Sequence, residues 1–137
     1  MNIFFLSMDP EKLAYMYCDQ HVIKILLEIC QMMYTSWFYS NEIEYVEKNA
    51  PYTLNNKRRG YRPCHKNHPM TLWISSSYEN YKFAGEIGMS LALEYKKRFG
   101  KIHACSKHIL WLYKNKPSKF ELRESKTSYY PITDFKS

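Results

Sequence analysis

Between Pro10 and Tyr39 apolar residues recur with no Gly or Pro to interrupt them, and the spacing predicts one long helix over this stretch. Asp9-Pro10 is a helix start, with Asp as N-cap and Pro at the first helical position. The segment from Val22 to Met33 is apolar nearly all round, the mark of a helix buried in the middle of a domain. His21, Lys24, Glu28 and Gln31 are its exceptions, and their helical spacing stacks them along one face. A carboxylate and an ammonium on such a helix call for partners, because charges are rarely sequestered alone. The stripe is either the solvated side of an amphipathic helix or the wall of a cleft. In a cleft, Glu28 would be the acid/base, with Lys24 and His21 tuning it.

The remaining pattern completes an all-α reading. Met1-Asn2-Ile3-Phe4-Phe5-Leu6 is a short apolar segment, strand-like or extended. Residues 41–68 are polar and rich in Asn, Lys and Arg, and are expected to be a long loop, which in a compact domain is usually functional or mobile. His68-Pro69 opens a helix marked by Met70, Leu72, Trp73 and Ile74, and Ser75-Ser76-Ser77 kinks or re-caps it. A long helical run then passes through Tyr81, Phe83, Ile87, Leu91, Leu93 and Tyr95, and stops at Gly100 after Lys96-Lys97-Arg98. A last helix is expected over about Ile102–Tyr113, and the tail 117–137 is expected to be irregular. The sum is a single all-α domain over residues 1–137, with three to four helices, a long central one and little or no sheet.

Composition narrows the class. A chain of 137 residues is long enough for a proper core and too short for two ordinary domains. No stretch is apolar enough to span a membrane and no secretory signal is evident. Cys18, Cys30, Cys64 and Cys105 are scattered, which fits a reduced, intracellular protein. The net charge of +7 and 17% aromatic content suit a polyanionic partner, since phosphate contacts give affinity and aromatic faces stack on bases. With four Gly there is no phosphate-cradling loop, and no Ser sits in a nucleophile elbow.

Three polar clusters could carry chemistry. Cys18-Asp19-Gln20-His21 fronts the long helix. His65-Lys66-Asn67-His68-Pro69 precedes the next, where side chains and free backbone amides can bind an anion. Arg98-Phe99-Gly100-Lys101-Ile102-His103 lies between two helices. Each has a plain alternative, as an ordinary cap or as basic residues complementing a helix dipole. Cys64, His65 and His68 with His103, Cys105 and His108 are the residue types zinc takes, but the spacing is no known finger or ribbon, and no metal or cofactor is called for.

The run Cys18-Asp19-Gln20-His21-Val22-Ile23-Lys24-Ile25-Leu26-Leu27-Glu28 resembles the front helix of the phage pyrimidine-dimer DNA glycosylases, also called endonuclease V. There an Asp-Gln-His triplet is followed, seven residues after the His, by the catalytic glutamate, the position Glu28 holds. Leu91-Ala92-Leu93-Glu94-Tyr95-Lys96-Lys97-Arg98 resembles a basic helix end of the same family. The blocks His21-Val22-Ile23-Lys24, Asn67-His68-Pro69 and Arg98-Phe99-Gly100-Lys101-Ile102-His103 are also similar to blocks in small proteins of phages and large DNA viruses, a likeness over about residues 1–105. The glycosylase resemblance implies that an N-terminal amine attacks the sugar of a damaged nucleotide, forms a Schiff base, and cuts the strand with help from the glutamate. The chain departs from the family at Leu27, where an arginine is expected, and at Asn2, which is a poor second residue for Met removal.

The leading expectation is therefore a DNA-repair glycosylase/AP-lyase-like protein acting on damaged pyrimidines in duplex DNA inside a virus-infected cell, in host cytoplasm or nucleus. Glu28, His21 and Lys24 are the catalytic candidates, and His65, Asn67, His68, Arg98, Lys101 and His103 the phosphate- and sugar-binding ones. Two alternatives stand beside it. One is an enzyme on a small phosphorylated substrate, such as a nucleotide, held in a His/Lys/Arg cage. The other is a non-enzymatic viral nucleotide-binding module.

Overall fold

Two long helices lying antiparallel organise the molecule. The computed structural model describes Pro10, residues 19–53 and residues 58–122. α1 (Asp19–Tyr39) carries most of the core, with Val22, Ile25, Leu26, Ile29, Met32 and Met33 buried along it. α4 (Tyr78–Phe99) runs back beside it. The Trp37 indole N–H donates to the Tyr81 hydroxyl at 3.2 Å near one end. At the other end Arg98 meets Asp19 at 3.0 Å.

Local signals set the ends of α3 (Pro69–Ser76) and α4. His68 is the N-cap of α3 and its Nδ1 accepts the Met70 N–H at 3.0 Å. The serine run breaks the helix as expected: Ser77 is extended and its hydroxyl accepts the Asn80 N–H at 3.1 Å, capping α4. The Asn80 amide then donates to the Trp73 carbonyl at 2.8 Å, closing the corner. Gly100 ends α4 in the left-handed region, φ 69°, which a residue lacking Cβ adopts at no steric cost.

α5 (Ser106–Lys114) packs across α4 at a glycine. A Cβ on Gly88 would stand 2.5 Å from Ile109, so the close approach of the two helices depends on its absence. The expected start of this helix at Ile102 is four residues early. His103 takes the Cys105 N–H on its Nδ1 at 2.9 Å, and its carbonyl takes the Ser106 N–H at 3.0 Å, so a turn precedes the helix.

The connection 41–68 is more structured than a loop. It contains α2 (Ile43–Asn49), which buries Val46, and an isolated bridge between Tyr52 and Arg59. The tail expected to be irregular begins with a short turn of helix, α6 (Lys119–Leu122), before which Ser118 donates its N–H to Glu42 at 2.9 Å. The described residues form one all-α domain without a strand. The expected helix front at residues 11–18, the apolar start and the tail past Leu122 lie outside the described residues. Among the described residues no helix is long and apolar enough to cross a membrane.

Candidate functional site around Glu28

The polar stripe of α1 does not lie wholly in solvent. Lys24 is exposed, His21 and Gln31 are half-buried, and Glu28 is 8% exposed. Glu28 Oε1 is buried with no hydrogen-bond partner. Lys24, expected to tune it, makes no ion pair with it among the described residues. A buried oxygen left unpaired costs about 1–3 kcal/mol, so Glu28 Oε1 stands out among the polar atoms of α1.

One turn further on, the stripe becomes an anchor for the chain that leads into α3. His65 Nε2 and Gln31 Oε1 are 3.0 Å apart. The Thr35 hydroxyl donates to the Cys64 carbonyl at 2.7 Å and accepts the Cys64 N–H at 3.0 Å. Tyr39 donates to the Lys66 carbonyl. These contacts, spaced along one face of α1, pin residues 64–66 to the helix. His65 itself sits at φ 54°, a left-handed conformation uncommon for a residue with a Cβ, and such strain persists where the surroundings over-determine it. Its ring lies 6.5 Å from that of His68, edge to face.

Glu28, Gln31, His65 and His68 therefore belong to one side of the molecule. The anion-binding helix end expected at His68-Pro69 takes another form, because His68 caps α3 with its own side chain. Asn67 is exposed beside it.

The third basic cluster is elsewhere. Arg98 donates to Glu94 at 2.8 Å and to Asp19 at 3.0 Å. His103 packs edge-on against Tyr95 at 4.8 Å, and Lys101 is exposed. Arg98 meets α1 at Asp19 and His65 meets it at Gln31, twelve residues on, so the two basic groups are about 18 Å apart along the helix. They do not form a single cage.

No family model matches this chain. No curated protein and no solved structure is significantly similar to it either.

Periodicity gave no sign of a second polar assembly, buried on the other side of α1. The Tyr34 hydroxyl and His108 Nδ1 are 2.7 Å apart, and the His108 ring also hydrogen-bonds to the Tyr52 backbone. Burial, with Lys107 nearby, lowers the His108 pKa to about 4. The Tyr61 hydroxyl lies 3.3 Å from the Cys105 sulfur, and the Cys30 thiol 3.7 Å from the Cys105 carbonyl. The residue types that zinc takes are thus divided: Cys105 and His108 are in this assembly, and Cys64 and His65 lie on the neighbouring Gln31–Thr35 face of α1. Among the described residues no three His, Cys, Asp or Glu are grouped as a metal ion would need.

Proposed function

We propose that this chain is a DNA-repair glycosylase/AP-lyase-like protein acting on damaged pyrimidines, with Glu28 as its acid/base. The observation that carries the reading is the buried, unpartnered carboxylate oxygen of Glu28 on a helix face that continues into Gln31, His65 and His68. A carboxylate kept dry and unpaired is available to a reacting group that enters the site. In this reading an amine attacks C1′ of the damaged nucleotide and the glycosidic bond breaks. The C1′ centre becomes a Schiff base, and Glu28 moves the protons that departure and elimination require. The resemblance puts that amine at the N-terminus, on Met1 here, which lies outside the described residues.

The spread of positive charge favours a polymer over a small phosphorylated ligand. A separation of about 18 Å along α1, with the two groups on different faces of the helix, exceeds what one phosphate group can bridge. His65, Asn67 and His68, with Lys24 and His21 on the stripe itself, would hold backbone on the Glu28 side of α1. Arg98 and His103 stand by Asp19 and Cys105, about half a turn round the helix from Glu28, and with Lys101 would meet the strand only past the front end of α1. The setting that goes with this reading is the interior of a virus-infected cell.

The experiment is strand cleavage of UV-irradiated duplex DNA by the full chain, with borohydride added to trap a covalent adduct. Wild type should nick the DNA and be trapped on it. Glu28→Gln should lose at least about a hundredfold in nicking while its salt-dependent binding is unchanged. Absence of nicking and of adduct on every lesion tried overturns the reading. A thermal shift with a nucleotide and none with DNA would favour the small-substrate alternative.

A further inference from the structure

Cys30 and Glu28 sit on opposite sides of α1, about 200° apart round its axis, and the Cys30 side has chemistry of its own. The Cys30 thiol is fully buried against Cys105, its sulfur 3.7 Å from the Cys105 carbonyl, and Cys105 is buried with it. Cys105 is the residue from which α5 starts, so its sulfur lies by the positive end of a helix dipole. The hydroxyl of Tyr61 is 3.3 Å from that sulfur, and the ring of His103 takes the Cys105 N–H at 2.9 Å.

The two thiols are made unlike by these neighbours. Hydrogen bonding from Cys30 holds Cys105 well below the usual thiol range in spite of burial, and His103 and Tyr61 pull in the same direction. Burial pushes Cys30 well up. The surroundings thus favour charge on the Cys105 sulfur and disfavour it on Cys30, the division of labour between an attacking and a resolving cysteine. Cys64 offers a contrast within the same chain: burial raises it, and its backbone is tied to Thr35.

We propose that Cys30 and Cys105 are a modification site, closing to an intramolecular disulfide when the protein meets a peroxide. The Cys105 thiolate attacks one peroxide oxygen, the O–O bond breaks, and hydroxide leaves as Cys105 becomes a sulfenic acid. The Cys30 sulfur, losing its proton to the departing hydroxyl, attacks the sulfenic sulfur and a water is released. Two thiols are oxidised by two electrons in all, and one hydrogen peroxide is reduced to two waters. The new bond ties α1 to the start of α5 across 75 positions of sequence, a long loop whose closure restricts the unfolded chain and raises the melting temperature.

The test treats the full chain with hydrogen peroxide, unfolds it, alkylates the remaining thiols and maps peptides by mass. The expected product is a Cys30–Cys105 linked peptide that dithiothreitol reverses, unaffected by Cys64→Ser and abolished by Cys105→Ser. Full alkylation of both residues after peroxide, or linkage to Cys18 or Cys64 in their place, overturns the proposal. Tyr61→Phe keeps both thiols and removes one donor, so disulfide formation should slow several-fold. An unchanged rate overturns the role given to the donors around Cys105. None of these readouts depends on DNA cleavage.

Discussion

The two sides of α1 treat buried polar groups in opposite ways. On the side of Cys30 and Tyr34, tyrosine, histidine and thiol groups partner one another: Tyr34 with His108, His108 with the Tyr52 backbone, Tyr61 and Cys30 with Cys105. A satisfied network of this kind fixes one arrangement of the helices, because any other would strand its members in a medium of low dielectric. On the side of Glu28, a carboxylate oxygen is buried without a partner, and elsewhere among the described residues the hydroxyls of Thr71 and Ser75, Arg58 Nε and Asn80 Oδ1 are in the same condition. Polar groups that specify a fold are paired within it, whereas a group left unpaired at a cost in stability is kept for a partner from outside. The same helix does both.

The contrast breaks most visibly if Glu28 has no task. Glu28→Gln should reduce nicking of UV-irradiated DNA by about a hundredfold or more, measured at equal bound fraction. Undiminished nicking would make the two sides equivalent. The paired side should respond in stability instead. Tyr34→Phe keeps the ring but leaves His108 Nδ1 unpaired, and should cost about 1–3 kcal/mol in urea unfolding. Acid sharpens the same point. His108 has a folded pKa of about 4, below its unfolded value, so the unfolded chain takes the proton first. Its contribution is complete above about pH 6.5 and falls as pH drops toward about 4, by up to about 1.4 kcal/mol per pH unit. That slope should be absent from His108→Gln in unfolding followed from pH 7 to 4. The smallest effects belong to the exposed cations: Lys24→Ala and Lys101→Ala should each reduce the salt slope of DNA binding by about one if that lysine contacts a phosphate.

The readable part of the fold was the part written in local signals. The apolar spacing of α1, the re-cap at Ser77 and the stop at Gly100 each depend on residues within a turn of one another, and each appears where the pattern puts it. α2 was not legible because it depends on burying Val46, which lies by Gly60 and Tyr34, with Ala50 buried just past its end. Asn41, at φ 59°, turns the chain into it without a glycine to mark the place. The start of α5 was misplaced because the His103 ring, whose role no periodicity reveals, takes up the Cys105 N–H.

The site divides along the same line. Glu28 was visible as a polar position in an apolar helix, and His65 and His68 as residues next to a helix start. That Arg98 is held by Asp19, 79 positions earlier, was not visible, nor was the pairing of Tyr34 with His108 across 74 positions. Contacts of that span leave no period in a sequence, so basic clusters that looked like one wall proved to be two.

The claim beneath the comparison is that Glu28 is held dry and unpaired at the expense of stability. Urea unfolding of Glu28→Met tests it most directly, since Met has similar length and no oxygen to satisfy. The account predicts a higher midpoint at unchanged m, a gain of about 1 kcal/mol or more. A lower midpoint at unchanged m would show that Glu28 is an ordinary stabilising residue and contradict the account.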